Sequence, residues 1–339
     1  MKINLIAISI CIAFATSGCA KTESTDEKVD ALIAKMTVQE KAGQLNQYSG
    51  FEILTGDIDD SKISDRNQRI KNGLLGSVLN VLGTEDVEQA QRYAVEQTRL
   101  GIPLIFAFDV IHGYRTIFPI PLAESASWDL EAIERSARIA AIEASAAGQN
   151  WTFAPMVDIS HDPRWGRVME GAGEDPYLGG KIAQARVRGF QGNDLSQPDT
   201  IAATAKHFAA YGEVIAGREY NNVDISRRKL WETHLPPFKA ALDAGIKTFM
   251  NAFNEFEGVP ASANTYLIDD ILRGQWAFDG VLVSDWDSIG AMVTSGVIED
   301  DAGTAEMALE AGTDIDMESD VFVKYLPELV EQGRVDEAL

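Results

Sequence analysis

Cysteine is nearly missing. The chain of 339 residues holds two, Cys11 and Cys19, so the body beyond them has no disulfide, thiolate metal ligand or cysteine nucleophile. Its stability must come from a packed core. Positive charge is also scarce: 29 Lys and Arg stand against 52 Asp and Glu, and the formal net charge of -23 repels phosphate backbones, which sets nucleic acid aside as a partner. Of the four histidines, His112, His161 and His234 show no metal-ligand spacing and there is no H-E-x-x-H, so hydrogen-bonded structural roles are expected and no metal. No G-x-G-x-x-G follows an early strand, which argues against a dinucleotide cofactor. With 11 prolines and no long low-complexity run, collagen-like repeats and wholesale disorder are excluded.

One apolar run stands apart. Ile3 to Ala15, after Lys2, is too short for the ~20 residues of a spanning helix but suits a signal-peptide core. It ends in Thr16-Ser17-Gly18-Cys19, which resembles a bacterial lipobox with Cys19 as the lipidated residue. We therefore expect residues 1–18 to be a cleaved leader, residues 20–28 (AKTESTDEK) a polar tether, and residues 29–339 the folded body. The expected location is periplasmic, with membrane contact only through the lipid; ordinary secretion is the alternative.

Beyond the leader, apolar runs bounded by Gly, Pro or Asp occur at Leu74 to Leu82, Pro103 to Asp109, Trp151 to Asp158, Ile201 to Lys206, Ile246 to Asn251, Gly280 to Asp285 and Thr313 to Met317. Helical patterns lie between them. In Asp129 to Ala147 the residues Leu130, Ile133, Ala137, Ala140 and Ala144 recur at three- and four-residue steps, with Ser127 as the expected N-cap and Gly148 as the stop. Others are expected from Ser226 to Ala244, interrupted at Pro236-Pro237, from Asn264 to Arg273 and from Ala302 to Glu310. Strand then helix, repeated over about 250 residues, predicts an α/β fold, a closed (β/α)8 barrel first and a doubly wound sheet second.

A barrel carries its chemistry at the carboxyl ends of its strands. Those ends read Asp109, Asp158, Lys206-His207, Asn251 and Asp285-Trp286. Any one Asp there could be a helix cap or turn residue. Together they bring carboxylates, an ammonium and an imidazole to one rim.

Four segments, FAFDVIHGYRTIFP (106–119), APMVDISHDPRWGRVMEGAGEDP (154–176), AKHFAAYG (205–212) and GVLVSDW (280–286), resemble the amino-terminal barrel of glycoside hydrolase family 3, nearest to its bacterial periplasmic β-glucosidases. The resemblance implies a retaining β-glucosidase without cofactor, acting on a β-glucoside or oligosaccharide, with Asp285 as the nucleophile that forms a covalent glycosyl-enzyme. It further implies that Asp109, Arg115, Arg167, Lys206 and His207 hold the terminal sugar, that Trp286 offers a flat apolar face, and that Met250 lines the pocket. Arg164 and Arg167 could instead pair with Asp158, Glu170 or Asp175 in a buried ion network beneath the site; that is the expectation for Arg164, and for Trp165 a packing role.

Two features depart from the family pattern. Phe253 stands where many members have a Tyr whose hydroxyl reaches the nucleophile. The general acid/base of two-domain members is a Glu from a following α/β sandwich domain, which is expected to be lacking here. The one-domain branch instead carries an Asp-x-His pair after its Lys-His motif, whereas Tyr211 to Ser226 contains no His. Glu213, Glu219 and Asp224 are the stand-ins in that stretch. The alternatives are a β-xylosidase or β-N-acetylglucosaminidase of the same family, a non-catalytic sugar-binding remnant, or a barrel aldolase with Lys206 as a Schiff-base lysine. The leader yields its own test: Cys19→Ser should release the protein from membranes or leave the leader uncleaved, and a wild-type protein recovered wholly soluble without lipid would show ordinary secretion.

Overall fold

The computed structural model describes residues 24–50 and 60–339. The leader, Cys19 and residues 20–23 of the expected tether lie outside the described residues. Residues 24–36 form a unit of their own around helix α1 (Thr25–Ile33). Ser24 Oγ accepts from the Glu27 N–H at 3.1 Å and the Glu27 carboxylate accepts from the Ser24 N–H at 2.8 Å. This reciprocal cap turns the second half of the expected tether into a helical turn, through a Ser-x-x-Glu signal readable in the sequence.

From Thr37 onward, α2 (Val38–Gln44) leads into β1 (Asn46–Ser49). The chain continues through α3 (Asp60–Lys71), β2 (Ser77–Leu79), α4 (Thr84–Gln97) and β3 (Ile105–Phe108). Then come α5 (Pro121–Ser125), α6 (Leu130–Ala146), β4 (Trp151–Thr152), α7 (Pro176–Gln191) and β5 (Ala202–Phe208). Short α8 (Arg227–Lys229) passes through a π turn (Leu230–His234) into α9 (Leu235–Asp243), followed by β6 (Thr248–Asn251). A hairpin of β7 (Glu255–Phe256) and β8 (Val259–Pro260), a π-helical segment (Tyr266–Gln275), β9 (Val281–Val283), α10 (Asp301–Glu310), β10 (Asp316–Met317) and α11 (Val321–Glu331) complete it.

Eight strands form one parallel sheet in the order β10-β1-β2-β3-β4-β5-β6-β9. A parallel bridge between Val283 and Ile315, just before β10, brings the two edges together. The fold is the expected (β/α)8 barrel. Six of its strands fall inside the apolar runs, and β5 extends two residues past its run, through His207 and Phe208. β1 falls in none of them, because its residues Asn46, Gln47, Tyr48 and Ser49 are polar or aromatic yet all buried. Side-chain bonds replace water there: Gln47 Nε2 donates to Ser77 Oγ at 3.0 Å and Asn46 Nδ2 to Asp320 Oδ1 at 3.2 Å.

Two helix boundaries differ from expectation. The cap of α6 is Asp129, whose carboxylate accepts from the Ala132 N–H at 2.9 Å, while Ser127 Oγ donates to the Glu124 carbonyl and receives the Asp129 N–H. Pro236-Pro237 does not interrupt its helix: the pair occupies the first turn of α9, where a missing N–H costs little.

The barrel interior is filled by Leu79, Ala107, Trp151, Phe153, Met250, Val283, Ile315 and Met317. Trp151 Nε1 donates to Thr204 Oγ1 at 2.8 Å and lies 2.9 Å from Thr248 Oγ1, so the indole is satisfied below the site. Outside the strands, Phe208, Phe238 and Phe249 pack beneath the helices. α6 and α7 meet so closely that a Cβ on Gly189 would lie 2.5 Å from the Glu134 carbonyl oxygen and 2.6 Å from Ala137 Cβ. Gly→Ala usually gains up to about 1 kcal/mol in a helix interior, but overpacking typically costs about 1–3 kcal/mol. Gly189→Ala should therefore lower the Tm, and a raised Tm would show that these helices separate freely.

Candidate active site

At the carboxyl ends of the strands a pocket of about 320 Å³ is lined by Leu79, Asp109, Ile111, Phe153, Arg167, Glu170, Lys206, Met250, Asp285, Trp286 and Met317. Each strand end delivers one part. Asp109 follows β3, Lys206 sits on β5, Met250 on β6, and Asp285-Trp286 lies just beyond β9. Arg167 and Glu170 come from a 3-10 turn (Gly166–Glu170) in the loop after β4.

Asp285 is buried at the pocket floor. Its Oδ1 accepts from the Trp286 N–H at 2.7 Å, whereas Oδ2 has no hydrogen-bond partner among the described residues and lies 3.4 Å from His207 Nε2. Burial pushes its pKa up to about 6 against the pull of Lys206 and Arg167, and the nearby Asp109 charge adds to the rise.

The cations are placed by carboxylates. Lys206 Nζ donates to Asp109 Oδ1 at 2.7 Å. Arg167 forks onto Glu170, with Nε to Oε1 at 2.7 Å and Nη2 to Oε2 at 3.1 Å. Burial opposes ionisation of Glu170, but Arg167 outweighs it and, with Lys206, holds the carboxyl below its usual range.

His207 lies one layer behind the pocket, fully buried and not among its lining residues. Its backbone N–H and its Nδ1 both meet Asp158 Oδ2, at 2.9 and 2.8 Å, and Arg167 Nη2 lies 3.0 Å from its Nε2. Burial, with Arg167 and Lys206 adjacent, pushes its pKa well below the usual value, so the ring is neutral. Those partners select the tautomer that donates from Nδ1 and accepts at Nε2. Burial likewise raises Asp158 to about 7. The Asp158–His207–Arg167 chain thus sets the angle at which the guanidinium enters the pocket.

Six of the eight expected site residues therefore line one pocket: Asp109, Arg167, Lys206, Met250, Asp285 and Trp286. Arg115 does not. It is exposed in the loop after β3, where its backbone N–H is bonded to Glu143 Oε2 at 2.8 Å. Asn251 is also outside, buried and donating to Thr313 Oγ1 at 2.8 Å. Glu170 lines the pocket, where the sequence suggests only an ion-pair partner; its three-residue spacing from Arg167 is the available signal.

Comparison with known proteins decides the family. The model of the glycosyl hydrolase family 3 N terminal domain matches residues 37–339. The chain belongs to glycosyl hydrolase family 3. It is 41% identical over 313 residues to a periplasmic beta-glucosidase of Salmonella typhimurium, covering 92% of this chain and 40% of that protein. A putative beta-xylosidase of Formosa agariphila is 33% identical over 325 residues, with 91% and 43% covered. Among solved structures, the beta-glucosidase of Listeria innocua in complex with glucose superposes with a TM-score of 0.87 at 40% identity, covering 93% of this chain and 45% of that one. The chain thus spans less than half the length of these family 3 relatives.

Within this family 3 barrel, the three acid/base stand-ins of the loop after β5 are not among the pocket's lining residues. Glu213 is held by His161 Nδ1 and by Lys229 Nζ at 2.7 Å, with buried His234 Nε2 3.7 Å away. Burial opposes its ionisation, but Lys229 and His161 keep its carboxyl below the usual range. Glu219 accepts from Trp165 Nε1 and Tyr211 Oη, and Asp224 is exposed. Arg164 pairs at the surface with Asp162 (Nη2 to Oδ2, 2.6 Å), a different partner from those expected, and Asp175 caps α7 instead. Trp165 is fully buried, and His112 Nδ1 meets the Phe118 carbonyl at 3.2 Å. Phe253 packs against Tyr211 and Tyr220.

The raised pKa of Asp285 implies a cost. Its carboxyl binds a proton more tightly folded (about 6) than at the ordinary 3.8, so its contribution to stability falls as pH rises through that window. Asp285→Asn mimics the protonated form. At pH 8 it should be more stable than the wild type by about 1–3 kcal/mol, the free energy of a proton held roughly 100-fold more tightly, and by only about 0.5 kcal/mol near pH 4. Thermal melts of both proteins from pH 4 to 8 measure this; a pH-independent difference would contradict it.

Proposed function

We propose that this barrel carries the nucleophile and the terminal-sugar subsite of a retaining β-glucosidase. The observation that supports it most is the Asp285 Oδ2, buried in a pocket lined also by Lys206, Asp109 and Arg167, and without a hydrogen bond among the described residues. In this reading Asp109, Lys206 and Arg167 bind sugar hydroxyls through charge-assisted hydrogen bonds, and Trp286 meets an apolar face of the ring. His207 acts from behind by orienting Arg167.

Asp285, ionised, attacks the anomeric carbon; the carbon–oxygen bond to the aglycone breaks as the new ester bond forms, and the departing oxygen takes a proton. Positive charge develops on the sugar ring in the transition state. The buried carboxylate directly beneath it stabilises that charge. The remaining lining carboxylates, Asp109 and Glu170, are each bound to a cation. We infer that the proton comes from a general acid in the part of the family's architecture that this chain does not span. The names of the relatives favour a glucoside over a xyloside, and the apolar leader together with the periplasmic relative supports export; a lipid on Cys19 is proposed from the Thr16-Ser17-Gly18-Cys19 motif alone.

A dinitrophenyl 2-deoxy-2-fluoro-β-glucoside should label the protein once, on the peptide containing Asp285, with a labelling rate that falls as pH drops below about 6, because the nucleophile must be ionised. Mass spectrometry placing the label on another peptide, or faster labelling by the corresponding xyloside, would refute the assignment to Asp285 or to glucose respectively.

A further inference from the structure

Tyr220 is an aromatic residue that the fold itself does not account for. It is 69% exposed, and its φ of 60° lies in the left-handed region that bulky side chains rarely adopt. It is nevertheless held in place. Glu219, its neighbour in the chain, accepts from Tyr211 Oη and Trp165 Nε1 and lies 3.8 Å from Arg167 Nη1. The Tyr220 ring stands edge-on against Phe253 at 4.9 Å and 88°, with Phe253 backed by Tyr211 at 5.6 Å. One edge is thus pinned while much of the ring faces solvent.

Its neighbours place it beside the pocket: Glu219 lies 3.8 Å from Arg167 Nη1, and the Tyr211 ring that backs Phe253 has the Arg167 guanidinium 5.7 Å from its centroid. The Tyr220 phenol feels Glu219, Arg167, Asp285 and Glu170 together, and three of these four line the pocket. An anchored, solvent-facing aromatic next to the Glu219–Arg167 contact is a surface that a group attached to a sugar in the pocket can meet.

We propose that Tyr220 is the platform of the aglycone subsite, taking an aryl ring or the C–H face of a second sugar against its exposed face. The proposal deepens the β-glucosidase reading and rests on it. An aromatic face recognises a flat or C–H-lined group irrespective of hydroxyl pattern, whereas the terminal-sugar subsite uses charged hydrogen bonds. Tyr220 therefore governs which leaving groups bind well and has no part in binding glucose.

Calorimetry with two probes separates the subsites: glucose, and nitrophenyl 1-thio-β-glucoside, whose sulfur link resists cleavage. Wild type should bind the thioglucoside more tightly than glucose. Tyr220→Ala should lose roughly 2- to 10-fold of affinity for the thioglucoside, the range of one aromatic contact, with glucose affinity unchanged, and Tyr220→Phe should keep the wild-type value. Unchanged thioglucoside binding in Tyr220→Ala, or an equal loss for both probes, would overturn the proposal, the second by showing a structural role. A loss in Tyr220→Phe as large as in Tyr220→Ala would overturn it by assigning the contact to the hydroxyl. If wild type binds neither probe, the reading of the pocket as a glucoside site fails, whatever Tyr220 does.

Discussion

Two cations hold five carboxylates around one pocket. Lys206 bonds Asp109, and Arg167 forks onto Glu170 and approaches Glu219, leaving Asp158 and Asp285 without a cation bonded to them: Asp158 accepts from His207 and Asp285 from the Trp286 N–H. The shortfall of positive charge has consequences in both directions. Burial raises Asp158 and Asp285 because no partner repays their desolvation in full. The same shortfall leaves the pocket receptive to a cationic transition state. Neutral His207 is part of the arrangement, since an imidazolium would relieve the imbalance and could no longer accept from Arg167.

The barrel makes such a concentration of charge possible. Parallel strands set the carboxyl ends of β3, β5, β6 and β9 on one rim, above the packed apolar side chains of the barrel interior. The loops after β4 and β5 are then tied to each other by Glu219, which receives Trp165 from one and Tyr211 from the other. Arg167 is consequently fixed from three sides, by Glu170, His207 and the Glu219 anchor. A guanidinium held this way loses little freedom on meeting a ligand.

Much of this was legible in the chain. Apolar runs followed by a polar residue located seven strands and most of the pocket, because a strand buried on both faces must be apolar while its end, open to the site, need not be. β1 escaped notice for the opposite reason: Asn46 and Gln47 are buried but paired within the barrel, and pairing leaves no trace in hydropathy. Asp129 took the cap expected of Ser127 because both are good caps two residues apart, and only backbone geometry chooses between them.

By itself the sequence determined the barrel class, the family, and the presence of Asp285 at the end of an apolar strand, since periodicity and motif spacing are local properties of the chain. Only the tertiary structure decided which polar residues meet. It sent Arg115 outward, put His207 behind Arg167, brought Glu170 into the pocket, and bound Glu213 and Glu219 to partners from other loops. A charge finds its partner through space, at distances of a few ångströms that the separation of residues along the chain does not constrain.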